Sequence, residues 1–287
     1  MPELPEVETI RQYLAGVLPG QTVTAVRHLD PRMVKDGSLG AAAIIVRLPG
    51  LTVARVVRRG KFLFIGWTQG GHLLIHLGMS GRLGFAPVAE PTPHTHLLLA
   101  FTHGELQLVD PRRFGRVGWV AAGEVLRPGL GVEPLSRGFT RTFLMTRLLG
   151  RTAPIKSVLL DQRIVAGIGN IYADEALFRA GIHPRTPAGE LSAVQTARLV
   201  RGVRAVLREG LANRGTSFSD YVDALGRAGD NQHYLRVYGR GGEPCRRCRA
   251  MVATMVIQGR TSHFCPTCQP LRPGLFDQEG RDNRAEI

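Results

Sequence analysis

The stretch CRRCRAMVATMVIQGRTSHFCPTC, residues 245–268, holds all four cysteines of a 287-residue chain. They form two Cys-x2-Cys pairs, Cys245/Cys248 and Cys265/Cys268, with sixteen residues between the pairs. At that spacing each pair can supply two thiolates to one tetrahedral zinc ion. Two disulfides or buried free thiols are the alternatives. A cytosolic chain disfavours the first and the paired spacing disfavours the second. Four cysteine ligands leave no open position for substrate, so the zinc is expected to be structural. Met251–Ile257 and the segment around His263 are expected to form a β-hairpin that the metal folds, because so small a unit has no core of its own. Arg240, Arg246, Arg247, Arg249 and Arg260 surround it, which suits a hairpin entering a DNA groove.

Upstream of this unit the apolar pattern is helical. Leu199, Val203, Val206, Leu207 and Leu211 make one stripe, and Ile171, Leu177, Phe178 and Ile182 mark another helix. From Thr22 to about Val120 the period shortens, and strands are expected at Ile44–Leu48, Leu51–Val57, Phe62–Trp67, Leu73–Leu77, Leu97–Phe101 and Leu106–Val109. A leading helix precedes them: Pro5 suits a first turn, Glu6 and Glu8 suit the positive dipole end, and Val7, Ile10, Leu14 and Val17 share a face. Gly and Pro cluster at Arg127–Pro134, a candidate hinge. The stretch from Arg272 is polar, without apolar period, and is expected to be disordered.

The formal net charge is +14. So large a basic excess points to a polyanionic partner, nucleic acid foremost, against the alternative of a basic but idle surface. No run of eighteen apolar residues calls for a membrane span, and the first residues do not resemble a secretory signal. A soluble cytoplasmic protein is expected. Of the 37 basic residues three are lysines, Lys35, Lys61 and Lys156. A lysine offers a compact ammonium that gives up its proton more readily than a guanidinium, so these three rank first for work arginine cannot do. Residues 161–170, DQRIVAGIGN, join two helical segments through a glycine-rich turn, with Asn170 placed to cap the second. Such a helix start either binds phosphate or merely links two helices.

PELPEVET at 2–9, RRGKFL at 58–63, HLGMSG at 76–81, DPRRFG at 110–115, GIGNIYADE at 167–175, VYGR at 237–240 and GRTSHFCPTCQ at 259–269 follow in order over nearly the whole chain. Together they resemble the Fpg family, the bacterial formamidopyrimidine- or 8-oxoguanine-DNA glycosylases. The sister endonuclease VIII-like group typically begins PEGPE, so PELPE favours the purine-directed branch. The resemblance implies an α+β chain: an N-terminal β-sandwich with a leading helix (1–133), a helix–two-turn–helix domain (134–238), a zinc finger (239–270) and a tail (271–287). It further implies damaged double-stranded DNA lying in the cleft between the two larger domains, one structural zinc, and a monomer that both excises oxidised purines and cleaves the strand by β,δ-elimination.

By the same resemblance Pro2 is the nucleophile once Met1 is removed. Only about one lysine in 2,500 is unprotonated at pH 7, against roughly a tenth of chain-terminal amines. Glu3 is implied as general acid/base, and Glu6 either positions water or the amine or simply stabilises the helix start. Lys61 is implied as a proton donor and phosphate contact in β-elimination. Arg260 is linked to δ-elimination, chiefly as a phosphate clamp, since a guanidinium seldom releases a proton. Lys156 is implied as a lesion-proximal lysine, and His94, Arg112, Arg151 and Asn170 as DNA-backbone contacts. Met79, Arg112 and Phe114 would fill the gap left when the damaged nucleotide leaves the stack. Asn231 stands where the family often has an aromatic, which loosens the inference to base preference. Two other readings remain: a sister-group glycosylase for oxidised pyrimidines, and a non-catalytic zinc-finger DNA-binding protein.

Overall fold

Glu3 begins the first ordered element, and the sheets that follow hold it in place. The computed structural model describes residues 1–218 and 221–271; the tail from Arg272 lies outside them. The chain divides into two compact units. The first is Met1–Gly138 with Asp161–Gly169 and Arg204–Tyr234; the second is Phe139–Leu160, Asn170–Val203 and the chain from Leu235. The units are thus discontinuous in sequence.

In the first unit α1 (Leu4–Val17) has Pro5 in its first turn, where a missing N–H costs nothing, and buries Val7, Ile10 and Leu14. Then come β1 (Val23–Leu29), β2 (Val34–Gly37), α2 (Ala41–Arg47), β3 (Val53–Arg59), β4 (Phe62–Trp67), β5 (His72–His76), β6 (Arg82–Ala86), β7 (Thr95–Phe101), β8 (Glu105–Val109) and β9 (Arg116–Val120). They form a four-stranded sheet, β1-β7-β8-β6, and a five-stranded sheet, β2-β9-β5-β4-β3. Strand alternation separates two apolar sets. Leu63, Ile65, Leu73 and Ile75 share a core with Leu97, Leu99, Leu106 and Leu108 of the other sheet. Phe64 and Leu74, on the opposite face, join Val120 in a separate cluster. This is the expected sandwich.

Ile44–Leu48 is helix, not strand. Gly40 precedes three alanines, strong helix formers, and these override the β-branched run behind them. Ile44 and Leu48 are fully buried while Val46 is 82 % exposed. Positions four apart share a helix face, whereas a strand would put all three on one side. Arg127–Pro134 is not a free hinge either. Gly131 donates to the Gln162 carbonyl at 2.8 Å and Val132 to that of Ile164 at 3.1 Å. A Cβ on Gly131 would lie 2.2 Å from the Ile164 oxygen, so this glycine serves close approach rather than flexibility.

The second unit contains α3 (Arg141–Leu148), α4 (Ile155–Leu160), α5 (Asn170–Ala180), the first part of α6 (Ala193–Ala212), and the hairpin β10 (Ala253–Ile257) and β11 (Arg260–Phe264). Thr140 caps α3, its hydroxyl accepting from Phe143 N at 3.0 Å. Gly202 lets α6 approach α5, since a Cβ there would meet the Ala176 carbonyl at 2.9 Å. The hairpin pairs Ala253 with Phe264 and Ile257 with Arg260. Gln258 and Gly259 both have positive φ, 47° and 70°, as a tight two-residue hairpin turn requires. If Ile44–Leu48 is a helix packed by one face, Ile44→Ala should cost about 2–5 kcal/mol and Val46→Ala under about 0.5 kcal/mol in chemical unfolding. Equal losses would restore the strand.

Candidate active site and nucleic-acid interface

Two carboxylates at the start of α1 are removed from water: Glu3 and Glu6 are each 2 % exposed. Glu3 Oε2 accepts from Gly169 N at 2.6 Å. Glu6 Oε2 accepts from Glu3 N at 2.8 Å, and its Oε1 from Thr216 N at 2.8 Å. The glycines around them are dictated by these contacts. A Cβ on Gly169 would sit 2.4 Å from Glu3 Cδ, and one on Gly215, already at φ +85°, would meet Glu6 Cγ at 2.9 Å. Leu4 N donates to the Gly167 carbonyl at 3.0 Å, so the 167–169 turn grips the beginning of α1 twice. Pro2 is buried directly ahead of it. The bond from Glu3 N makes Glu6 part of a capping box that stabilises the helix start, one of the two roles expected for it. Asn231 belongs to the same arrangement: 3 % exposed, it donates from Nδ2 to Thr216 Oγ1 at 2.8 Å and so supports the loop that holds Glu6.

Lys61 occupies the two-residue turn between β3 and β4 and is 6 % exposed. Its neighbour Gly60, at φ +58°, lies against Ala166 and Gly167, with Cβ distances of 3.4 and 3.6 Å. The Lys61 turn and the Glu3 anchor therefore meet at one glycine-rich segment. Glu133 fixes this turn, accepting from Gly60 N at 2.6 Å, Arg59 at 3.1 Å and Arg58 at 2.8 Å. Burial pushes the Glu133 carboxyl up, but the Arg58 charge and these hydrogen bonds outweigh burial and hold it below its ordinary value. His76, beside Lys61, is driven down to about 4 by burial first and then by the Lys61 and Arg116 charges. Its Nδ1 accepts from Gly78 N at 3.1 Å.

Met79 of the HLGMSG segment and Phe114 of DPRRFG face outward, 42 % and 50 % exposed. Arg112 lies over the Phe114 ring at 5.2 Å. Exposed apolar groups beside arginine are what an insertion device needs. His94 is exposed at the entry to β7.

In the second unit the four cysteine sulfurs lie within 4.8 Å of one another. Zinc–sulfur bonds of about 2.3 Å give a tetrahedral edge of about 3.8 Å. The Cys245–Cys268 and Cys248–Cys265 separations, 3.9 and 3.4 Å, suit that edge. Arg247 N and Cys268 N each point at a cysteine sulfur at 3.4 Å, favouring thiolate. This donor set fits one structural zinc. Arg260 follows the hairpin turn and is exposed. Arg151 is exposed as well, its Nε donating to the Arg147 carbonyl at 2.6 Å.

Two residues of this unit are engaged within it. Lys156 is wholly buried. Its ammonium pairs with Asp174 Oδ1 at 2.6 Å and donates to Ser262 Oγ at 2.7 Å and the Thr261 carbonyl at 3.3 Å. Asp174 Oδ2 accepts from His263 N at 2.8 Å. An ammonium with several oxygens around it suits a site too small for a guanidinium. Asn170 is the first residue of α5 rather than a cap ahead of it, and its Nδ2 donates to Thr261 O at 2.9 Å. Both side chains secure the finger strand that carries Arg260.

Residues 1–117 match the formamidopyrimidine-DNA glycosylase N-terminal domain, 130–221 its H2TH domain, and 242–271 the zinc finger found in FPG and IleRS.

The chain belongs to the formamidopyrimidine-DNA glycosylase family.

Among relatives, the formamidopyrimidine-DNA glycosylase of Pelotomaculum thermopropionicum is 43 % identical over 279 residues, covering 95 % of this chain and all of that one (100 %). That of Moorella thermoacetica is 48 % identical over 254 residues, 86 % of this chain and 92 % of its own. A Lactococcus lactis Fpg variant solved with DNA containing Fapy-dG superposes with a TM-score of 0.88 at 35 % identity, covering 94 % of this chain and 100 % of that one. MutM (Fpg) from Thermus thermophilus superposes at 0.83 with 42 % identity, covering 95 % and 100 %. Within this family frame, sequence reading passed over Glu133, His76 and the Gly215-Thr216 loop. Glu133 lay in the supposed hinge and Gly215-Thr216 in no motif; His76 opens HLGMSG, which did carry a signal.

Two outcomes test this geometry. Lys156→Met strands a buried carboxylate and should cost about 3–5 kcal/mol in unfolding of the zinc-loaded protein, where a surface lysine would cost almost nothing. His76 should titrate near pH 4 by NMR. Because its folded value lies below the ordinary 6.5, the stability it contributes is present above 6.5 and lost as pH falls toward 4. That loss amounts to roughly 3 kcal/mol.

Proposed function

We propose that this chain is a bifunctional DNA glycosylase and abasic-site lyase of base excision repair. It removes 8-oxoguanine and formamidopyrimidines from duplex DNA and then cleaves the strand. The observation that carries the reading is the buried Glu3 carboxylate, bound to Gly169 N immediately after Pro2. Loss of Met1 turns the Pro2 nitrogen from an amide into a secondary amine. That amine attacks C1′, the bond to the base breaks, and the base leaves with a proton. Glu3 supplies and accepts protons as the base departs and the sugar ring opens. The resulting iminium acidifies the C2′ hydrogen, and its removal expels the 3′ phosphate in β-elimination. A second deprotonation expels the 5′ phosphate in δ-elimination.

Lys61, held by the Glu133-fixed turn, contacts phosphate and donates a proton in the first elimination. Arg260 clamps phosphate for the second. His94, Arg112, Arg151 and Asn170 line the DNA backbone, and Met79, Arg112 and Phe114 fill the vacated stack. Cys245, Cys248, Cys265 and Cys268 hold the zinc, which shapes the Arg260 hairpin and takes no part in the chemistry. One chain carries every group named, so the enzyme is read as a monomer, working on chromosomal DNA in the bacterial cytoplasm. The spans 1–133, 134–238 and 239–270 are proposed as its catalytic, helix–two-turn–helix and finger domains.

A preference for oxidised pyrimidines is the second reading, since the wild-type Lactococcus lactis relative was solved with DNA containing an oxidised pyrimidine. Borohydride reduction during turnover should trap a protein–DNA adduct on residue 2 of Met1-processed protein and none on protein retaining Met1. Absence of adduct from processed protein would make the chain a binder, not an enzyme. Faster incision at thymine glycol than at 8-oxoguanine opposite cytosine would move it to the pyrimidine branch.

A further inference from the structure

Asp110 has no exposed surface and is none of the residues expected to react with or contact DNA. Its oxygens are nevertheless fully engaged. Oδ1 accepts from Ser80 Oγ at 2.6 Å and from Arg112 N at 3.3 Å, and Oδ2 accepts from Gly115 N at 2.7 Å. Ser80 follows Met79 in one loop; Arg112 and Gly115 enclose Phe114's neighbourhood in the other. One carboxylate thus closes both loops.

The remaining contacts of Asp110 add to this. Its own N–H donates to the His94 carbonyl at 2.9 Å, and its carbonyl accepts from Arg113 N at 3.1 Å. The His96 ring, 2 % exposed, bridges that carbonyl at 3.0 Å to the Asp30 carboxylate at 3.1 Å. The loops also touch directly through backbone. Gly78, at φ +65°, has its Cβ position 2.4 Å from the Phe114 carbonyl carbon, so no side chain fits between them.

We infer that Asp110 is a positioning residue for DNA insertion: its buried carboxylate fixes the spacing between Met79 on one loop and Arg112 and Phe114 on the other, so that the three enter the duplex as one rigid body. The inference rests on the insertion role proposed for those side chains. Charge-assisted bonds of 2.6–2.7 Å resist the splaying that insertion between stacked bases would impose. If the spacing were loose, ordering the loops would be charged against every insertion event.

The test compares two substrates. Duplex DNA with 8-oxoguanine needs the gap filled; a single-stranded abasic oligonucleotide offers no partner base and no gap. Asp110→Asn and Ser80→Ala should slow duplex excision by about tenfold, the effect of one lost charge-assisted bond, and leave single-strand cleavage within about twofold. Adding Asp110→Asn to a Met79→Ala/Phe114→Ala background should slow duplex excision by clearly less than tenfold, because only Arg112 remains to position. The proposal is overturned if both variants excise from duplex at the wild-type rate, if both substrates slow equally, or if the effects simply add. Should Asp110→Asn fail to fold, Ser80→Ala decides, with its melting temperature as control. If Met79→Ala/Phe114→Ala itself leaves duplex excision intact, the insertion reading has failed, a result distinct from any of these.

Discussion

A carboxylate withdrawn from water must find donors or cost several kcal/mol, and in this chain those donors are mostly backbone N–H groups. Glu3 takes Gly169, Glu6 takes Glu3 and Thr216, Glu133 takes Gly60, and Asp110 takes Gly115. In the second unit Asp174 takes His263, and Glu175 takes Arg236, Val237 and Tyr238 at 2.8–2.9 Å. Each such bond pins a loop at one peptide, and the pinned loops are the ones bearing Lys61, Phe114 and Arg260. A side-chain partner would fix only another side chain. An amide partner fixes the path of the chain, and with it the direction of every residue nearby.

This use of carboxylates also shapes the surface. Among the described residues eight acids are buried, Glu3, Glu6, Asp30, Glu105, Asp110, Asp174, Glu175 and Asp223, against two bases, Lys61 and Lys156. Arginine stays outside while acid is turned inward, so the solvent face is more basic than the composition suggests. Such a face attracts polyanions. The two buried bases are both lysines, since a compact ammonium can be enclosed where a planar guanidinium with five donors cannot. Scarcity of lysine in the sequence therefore pointed at two buried sites and one exposed residue, Lys35, without separating their tasks: Lys61 sits at the glycine turn beside Glu3, whereas Lys156 joins α4 and α5 to the finger strand.

Much of the layout was legible in local pattern. Strands β4, β5, β7 and β8, the leading helix, the two long helices and the metal hairpin follow from apolar period, turn residues and cysteine spacing, whereas β6 (Arg82–Ala86) and β9 (Arg116–Val120) had no counterpart in that pattern. The failures share a cause. Ile44–Leu48 reads as strand when its β-branched residues are weighed without the alanines before them and the burial four residues apart. Arg127–Pro134 reads as a hinge when glycine is equated with flexibility, while at Gly131 it answers the Ile164 carbonyl. Asn170 reads as a cap because the acceptor its amide finds, the Thr261 carbonyl, lies 91 residues away.

Sequence by itself determined the zinc hairpin, the sandwich, the basic character and the family, because cysteine spacing, strand alternation, net charge and ordered motifs are properties of neighbours along the chain. Tertiary structure alone decided that Glu6 and Asn231 support one loop, that Lys156 is enclosed, and that Ser80 and Gly115 share the Asp110 carboxylate. A buried charge is satisfied by whichever donor the fold brings within about 3 Å, and no local pattern records which distant peptide that will be.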